Sequence, residues 1–404
     1  MQINSNKEII EKFFQKSLKA KEYIQNDNFI GYLCSYVPEE ILISGGLNAI
    51  RIKGYEESNL ADGYMPINFC PYIKAVWEEV YKKNYHLNPI VFATSCDGMR
   101  RLHDLFSNYK KGSSLFMLDI PKKNDEISYE FFAGRLKKLL EFVKKISPNK
   151  EINEYDLIKS IEIINKKRYL LSELTKIYEA DLINFISTSQ YFDIMDLSLS
   201  TDNKIFNSEL EIFIKNAKNN LNLNQSLMNK DNLLKNNQKI MVIGNYINDK
   251  KFWDIFTDSG IKVISGDLCI SSRYFDFQVD LKNIIRYENK ENFLKSDNEK
   301  NYENNINDLL KLIAVSYLKK PYCFRMASLN EKLETIKNKI ITGNIKAVIF
   351  ASLKFCDNTL YFYPELKSEL AKLNIPSLYL DIDYGNSSSG QLRTRIEAFC
   401  EMLF

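Results

Sequence analysis

The sequence predicts an α/β protein in which two parallel-sheet domains are separated by a helical segment. Short apolar runs rich in β-branched and aromatic residues alternate with helical patterns near the start of the chain, and the alternation returns near Gln238. Between these regions the apolar residues follow helical spacing. We therefore predict an N-terminal α/β domain at residues 1–125, a helical segment and linker at 126–235, and a C-terminal α/β domain at 236–404.

Local signals predict the elements in order. An amphipathic helical pattern opens the chain, and a short apolar run then ends in a Cys-Ser turn. A helix is predicted to begin at Pro38, because proline and the carboxylates of Glu39 and Glu40 suit a first helical turn. Buried strands are predicted in NPIVFATSC, SLFMLDIP, QKIMVIGNY, GIKVISGDLC, IKAVIFASLKFC and IPSLYLDIDY. Residues 218–238 are predicted to form a polar linker and residues 287–305 a solvated loop.

Composition argues against several classes of partner. The chain carries 55 Lys and Arg against 52 Asp and Glu, so its net charge of +3 gives no reason to expect nucleic acid or an anionic membrane surface. No apolar stretch approaches the ~18 residues that a membrane-spanning helix needs. The N-terminal helical pattern also lacks the apolar core of a signal peptide. We therefore expect a cytoplasmic protein.

The cysteines stand at positions where α/β proteins bind ligands. Four of the seven follow the carboxyl end of a predicted strand, the edge at which open parallel sheets bind ligands: Cys34, Cys96, Cys269 and Cys356. Cys70 and Cys323 precede helical patterns, where backbone N–H groups should lower the pKa of a thiol. Cys400 fits the apolar face of a helix. Because VFATSCD and IFASLKFCD resemble each other, a duplicated domain with facing strand edges would gather these cysteines at one site.

Metal ligation explains this set better than disulfides do. Cysteines in a reducing compartment are rarely paired, and the chain has no CxxC pair of a zinc module. A single cysteine on a strand is most often a small buried hydrophobe, but six at equivalent edges are not explained that way. Thiolates from separate loops suit zinc or an iron-sulfur cluster. With only His86 and His103 in the chain, the iron-sulfur cluster is favoured.

Six segments of the sequence resemble a known protein family more specifically. They are GYLCSYVPEEILISGG, FCPYIK, ATSCDGMRRLHD, SGDLCISSRYF, KFCD and LDIDYGNSSSGQLRTRIEAFCEML. In this order they resemble the 2-hydroxyacyl-CoA dehydratase and benzoyl-CoA reductase family, from Gly31 to the end and more weakly over the helical middle. The resemblance implies two flavodoxin-like (Rossmann-like) α/β domains with added helices and a [4Fe-4S] cluster in the cleft between them.

The resemblance also implies site residues. The cysteines of FCPYIK, TSCDGM and KFCD correspond to the three cluster ligands of dehydratase subunits, here Cys70, Cys96 and Cys356. One iron then stays open for a substrate oxygen. The serine of CSYVPEE, Ser35, corresponds to a hydroxyl that holds the leaving hydroxyl of the substrate, and the alternative is a turn serine at a helix start. The two glutamates of that turn could act as acid or base near the cluster, but the helix dipole explains their place, so they are interpreted as structural.

The activity that the resemblance implies is removal of water from a 2-hydroxyacyl-CoA. One electron reduces the thioester carbonyl to a ketyl radical anion, which expels the α-hydroxyl. The β proton is then acidic enough to remove, and the electron is returned. A separate dimeric iron-sulfur ATPase supplies the electron, and this chain has no GxxxxGK[ST] phosphate loop. The expected partners are an acyl-CoA, this activator, and a related second subunit or a second copy of the chain.

Two other functions stay open on the sequence. One branch of the family contains ATP-dependent reductases with a double-cubane [8Fe-9S] cluster, for which Cys34, Cys269 and Cys323 would join the ligands. That branch tends to have a further cysteine after the first strand of the second domain, where this chain has Gly244 and Asn245, so the dehydratase is favoured. The other function is a non-catalytic subunit that carries electrons or assists a partner.

Overall fold

Two four-stranded sheets, each entirely parallel, form the framework of the computed structural model. The structure describes residues 6–24, 28–54, 60–82, 89–109, 112, 114–180, 185–225, 239–264, 266–281, 299–326, 328–384 and 389–403. The predicted α/β class is confirmed, and the two sheets are consistent with two Rossmann-like domains. The flavodoxin-like arrangement and the domain boundaries stay predictions.

The N-terminal sheet contains strands β1 (Phe29–Tyr32), β2 (Asn48–Arg51), β3 (Ile90–Ala93) and β4 (Leu115–Leu118). Their order across the sheet is β2-β1-β3-β4. The helices of this region are α1 (Asn6–Ile24), α2 (Glu39–Ser44), α3 (Pro71–Lys82) and α4 (Asp97–Tyr109), with a 3₁₀ turn at Ala61–Gly63. The sequence patterns missed β2, because its short run NAIR becomes a strand through pairing with β1 rather than through a strong propensity of its own.

Four helices follow without an intervening strand among the described residues. They are α5 (Glu126–Ile146), α6 (Glu154–Ala180), α7 (Thr188–Leu197) and α8 (Asn203–Gln225). The Asp125 side chain caps α5 by accepting a hydrogen bond from the Ser128 N–H, and Ser187 with Gln190 forms a capping box on α7. The predicted linker at 218–238 is wrong in its first part, because α8 continues to Gln225. Residues 226–238 lie outside the described residues.

The C-terminal sheet contains strands β5 (Lys239–Gly244), β6 (Lys262–Val263), β7 (Ala347–Leu353) and β8 (Ser377–Ile382), in the order β6-β5-β7-β8. The helices are α9 (Lys250–Asp258), α10 (Ser272–Phe275), α11 (Glu299–Lys319), α12 (Leu329–Gly343), α13 (Asp357–Leu360), α14 (Tyr363–Lys372) and α15 (Ser389–Glu401). All seven residues of β7 are buried, as expected for a central strand of a sheet covered on both faces.

The polar tract at 287–305 is not a loop throughout. Helix α11 begins at Glu299, so the predicted solvated loop is wrong from that residue onward, and residues 282–298 lie outside the described residues. The later part of α11 buries Leu309, Ile313 and Tyr317 against the N-terminal core. Tertiary packing of these residues stabilises a helix whose polar first turns have no amphipathic signal. No helix within the described ranges has the length and apolar character needed to cross a membrane.

Gly244 allows the two central strands of the C-terminal sheet to approach closely. A Cβ atom at this position would lie 2.1 Å from the carbonyl oxygen of Ala351, and that main-chain atom is fixed by the pairing of β5 with β7. We therefore expect Gly244→Ala to lower the free energy of unfolding by ~1–3 kcal/mol, measured by urea denaturation. Gly134→Ala is the control, because a Cβ there meets nothing within 4 Å. Equal denaturation midpoints for Gly244→Ala and the unmodified protein would contradict the close approach.

Candidate functional site

The carboxyl ends of the central strands carry the cysteines that the sequence singled out. Cys34 lies two residues beyond β1, Cys96 three residues beyond β3, and Cys356 three residues beyond β7. Cys269 lies two residues beyond Asp267, which forms a parallel bridge with Ile243 of β5. The thiol site is defined here as six partly exposed free cysteines: Cys34, Cys70, Cys96, Cys269, Cys323 and Cys356. Cys400 is buried in α15, as the sequence predicted.

Cys70 interacts electrostatically with two other thiols of the site. Burial, together with the Cys356 and Cys96 thiolates, raises the pKa of Cys70 to about 12. We call these three cysteines the Cys70 group. Its members come from both sheets, because Cys70 and Cys96 belong to the N-terminal half and Cys356 follows a strand of the C-terminal sheet. These are the three residues that the family resemblance indicates as ligands, and their role as ligands stays a prediction.

The second group contains Cys34, Cys269 and Cys323, and we call it the Cys34 group. Burial raises the pKa of Cys34, and the Cys323 and Cys269 thiolates add to this effect. The two groups are neighbours, because burial raises the pKa of Cys96 to about 12 with contributions from Cys34 and Cys323 as well as from Cys356. Pairwise interactions thus connect the six thiols in one chain of neighbours, with Cys96 between Cys356 and the Cys34 group.

The sequence predicts that helix starts lower the pKa of Cys70 and Cys323, and the structure differs from this prediction at both residues. Cys70 precedes α3, and the backbone N–H groups of Ile73 and Tyr72 do favour its thiolate, but burial outweighs them and its pKa rises. The predicted lowering at Cys70 is therefore wrong for the protein without a bound metal. Cys323 lies in the connection between α11 and α12, so the predicted helix entrance is wrong, but the predicted lowering of its pKa is confirmed.

Buried cations surround the Cys34 group. Burial alone would raise the pKa of Cys323, but Arg273, Arg325 and Lys332 outweigh burial, and the pKa is lowered. Arg273 and Lys332 share the carboxylate of Asp267, at 3.6 Å and 2.5 Å. One carboxylate thus serves two cations, so this side of the thiol site is electropositive and suits an anionic ligand.

Two further cations lie against the main chain of the same group. Arg51 donates through Nη1 to the carbonyl oxygen of Cys269 at 3.0 Å. Lys320 donates through Nζ to the carbonyl oxygen of Ser35 at 2.5 Å, and burial lowers its pKa to about 7. Both side chains are buried. They hold the backbone at Cys269 and at Ser35. Neither Arg51 nor Lys320 was predicted from the sequence.

Ser35 lies next to Cys34 in the turn between β1 and α2. The Val37 N–H donates to the Cys34 carbonyl oxygen at 3.0 Å, which closes the predicted Cys-Ser turn. Ser35 is 8% exposed. The structure therefore places Ser35 beside the thiol site, and its contact with substrate stays a prediction.

The two glutamates of α2 belong to a buried ion-pair network. Glu39 pairs with Lys167 at 2.5 Å and accepts a hydrogen bond from the Tyr274 hydroxyl at 2.6 Å. Glu40 pairs with Arg168 at 2.8 Å and accepts from the Tyr317 hydroxyl at 2.7 Å. The glutamates thus have structural partners, and these ion pairs stabilise them in addition to the helix dipole. Lys167 and Arg168 come from the distant helix α6, and sequence reasoning missed them.

Asn245 joins the two groups of the thiol site. Its Nδ2 donates to Sγ of Cys356 at 3.3 Å, and its Oδ1 accepts from the Leu353 N–H at 2.8 Å. Its carbonyl oxygen accepts from the Cys269 N–H at 3.4 Å. The sequence had marked Asn245 only as a position without cysteine.

The candidate ligands of the thiol site are the sulfur atoms of its cysteines. No three Cys, His, Asp or Glu side chains of the described part converge tightly enough to hold one metal ion. A cluster binds its thiolates at separate iron atoms, so its ligands stand farther apart than those of one ion. His103 packs edge to face on Phe92 at 5.2 Å between ring centroids, and His86 lies outside the described residues. Thiols thus dominate the donor set, which suits iron-sulfur chemistry.

These observations define a two-sheet α/β protein whose strand edges carry an electropositive site lined by thiols. The chain belongs to the 2-hydroxyglutaryl-CoA dehydratase D-component family, whose model matches residues 34–403. The resemblance carried by the sequence phrases is thereby confirmed.

Named relatives cover most of the chain at low identity. The chain is 21% identical to the (R)-phenyllactyl-CoA dehydratase beta subunit of Clostridium sporogenes over 407 residues, covering 99% of this chain and 98% of the relative. It is 23% identical to the lactoyl-CoA dehydratase subunit beta of Anaerotignum propionicum, covering 93% and 91%. A benzoyl-CoA reductase subunit of Thauera aromatica is 24% identical over 40% of this chain and 43% of its own length.

Proposed function

We propose that this chain is the iron-sulfur subunit of a 2-hydroxyacyl-CoA dehydratase, with Cys70, Cys96 and Cys356 as ligands of a [4Fe-4S] cluster. The observation that carries the proposal is the position of Cys96 and Cys356 just beyond the carboxyl ends of β3 and β7, central strands of the two sheets, with Cys70 near enough to interact electrostatically with both. Family membership supports the reaction class, and the dehydratase subunits among the relatives support a partner chain.

The chain's own residues would act in defined ways. Each thiol of the Cys70 group would lose its proton on binding iron, and the N–H groups of Ile73 and Tyr72 would assist Cys70 in this. When bound, the cluster supplies one-electron chemistry and an iron open to an oxygen ligand. Ser35 would donate its hydroxyl proton in a hydrogen bond to the leaving hydroxyl of the substrate. The reaction removes water from the 2-hydroxyacyl-CoA by way of a ketyl radical, with the electron supplied by a separate ATP-hydrolysing activator.

A double-cubane cluster is the second candidate, and the Cys34 group is the observation that favours it. This group adjoins the Cys70 group through Cys96, and it lies among Arg273, Arg325 and Lys332, which would stabilise an additional anionic cluster. In that case all six thiols would be ligands, and the activity would be an ATP-dependent reduction. A subunit that only carries electrons for a related partner is the third candidate, and copurification with a second chain but no substrate binding would favour it.

Iron and acid-labile sulfide per chain test the proposal. We expect about four of each in protein purified without oxygen, together with an electron paramagnetic resonance signal after reduction, because a three-cysteine site holds one [4Fe-4S] cluster. About eight irons would replace the proposal with the double cubane. Protein that folds normally but contains no iron would contradict both clusters.

A further inference from the structure

Asn245 is the first residue after β5, the strand next to β7 at the centre of the C-terminal sheet. Its three hydrogen bonds connect the Cys269 backbone, the end of β7 and the Cys356 sulfur. Gly244 makes this reach possible, because a side chain there would collide with the carbonyl oxygen of Ala351. A single residue thus ties one ligand candidate of each group to the same strand end.

The orientation of the Asn245 amide follows from its partners. The Leu353 N–H can only donate, so the amide oxygen must face Leu353 at 2.8 Å. The amide nitrogen then faces Cys356 Sγ at 3.3 Å with an N–H to donate. The reverse orientation would set two donors against each other at Leu353 and direct an oxygen lone pair at the sulfur, which is unfavourable for a thiolate.

Cys356 differs from Cys70 and Cys96 in the group that donates a hydrogen bond to its sulfur. Backbone N–H groups favour the thiolates of Cys70 and Cys96, from Ile73 with Tyr72 and from Met99. Cys356 receives its donor from a side chain, which a substitution can remove. It also follows Phe355, whose left-handed backbone at φ +58° is unusual for a bulky residue and turns the chain sharply after β7.

We infer that Asn245 is a positioning residue that orients Cys356 Sγ as a ligand and raises the reduction potential of the group held by Cys70, Cys96 and Cys356. The inference rests on the proposed function. An N–H directed at a ligand sulfur stabilises the additional negative charge of the reduced form, so it makes reduction easier. Its carbonyl contact with Cys269 passes the same constraint to the neighbouring thiol group.

The test compares two substitutions of Asn245 with a matched control. Asn245→Asp keeps the acceptor for Leu353 but replaces the donor by a carboxylate oxygen, and Asn245→Leu removes the donor without adding charge. Asn248→Asp is the control, because it makes the same charge change three residues away, where the side chain donates to the Gly54 carbonyl oxygen at 3.1 Å. The midpoint potential is measured by redox titration followed by electron paramagnetic resonance, beside the iron content of each protein.

We expect both Asn245 variants to keep their iron and to show a more negative midpoint potential, with the larger shift in Asn245→Asp and little change in Asn248→Asp. Loss of iron from both Asn245 variants, with iron retained in Asn248→Asp, would also support the positioning of Cys356. Retained iron with an unchanged potential, or an equal shift in Asn248→Asp, would overturn this inference alone. Absence of iron from the unmodified protein would instead overturn the proposed function, and this inference with it.

Discussion

Replacing Cys96 with serine should reduce the iron content of anaerobically purified protein from about four per chain to below about one, because a [4Fe-4S] cluster held by three thiolates would lose one of them. A serine hydroxyl is a hard donor that stays protonated near neutral pH, so it replaces a thiolate poorly as an iron ligand. Cys96 is also the residue that interacts with both thiol groups. Its loss is therefore expected to affect iron binding in either cluster type. Iron and sulfide analysis of the folded protein provides the measurement.

Two other cysteine substitutions give this experiment its controls. Cys400→Ser changes a cysteine buried in α15, away from the thiol site, and should keep the full iron content. Cys323→Ser separates the cluster types, because it should leave a four-iron site intact and disrupt a double cubane. Full iron content in Cys96→Ser would contradict the assignment of Cys96 as a cluster ligand.

Replacing Glu40 with alanine should lower the free energy of unfolding by ~3–5 kcal/mol, because it leaves a guanidinium buried without its carboxylate. The side chains of Glu40 and Arg168 are 0% and 1% exposed, and their atoms lie 2.8 Å apart. Although burial lowers the pKa of Arg168, Glu40 and Tyr317 outweigh it, so the pKa is raised and the cation depends on its partners. Urea denaturation of the metal-free protein measures the loss.

The control for this substitution is a carboxylate in an exposed pair. Glu11 lies 3.8 Å from Lys7 on α1, where solvent screens the interaction, so Glu11→Ala should leave the denaturation midpoint unchanged. Glu40→Gln should destabilise less than Glu40→Ala, since an amide oxygen still accepts from the Tyr317 hydroxyl. Identical midpoints for Glu40→Ala and Glu11→Ala would show that the pair contributes nothing to stability.

The ion-pair network also explains why the helical segment matters for the thiol site. Glu39 joins Lys167 of α6 to Tyr274 of α10, so α6 is connected to elements on both sides of the site. The turn with Cys34 and Ser35 immediately precedes the helix that carries both glutamates. Weakening this network should therefore loosen the position of Cys34 and Ser35 relative to the C-terminal sheet.

Much of the fold and part of the site could be predicted from the sequence by itself. Apolar periodicity indicated most strands and helices, because buried faces repeat every two or every 3.6 residues. In a parallel sheet the carboxyl ends of all strands lie at one edge. Once the strands were predicted, the positions of Cys34, Cys96 and Cys356 at these edges could be predicted as well. Local phrases around the same cysteines were specific enough to indicate the family, which the family model confirms.

Only the tertiary structure decided which side chains meet and how strongly burial acts on them. The contact between Glu40 and Tyr317 spans 277 positions, and no local pattern encodes such a pair. At Cys70 the sequence correctly indicated the helix start, but the cost of burying a charge outweighs the helix N–H groups. Arg273 and the amide of Asn245 likewise reach Cys323 and Cys356 from distant segments. Periodicity reports which face of an element is buried, whereas desolvation and charge pairing depend on the neighbours that the folded chain supplies.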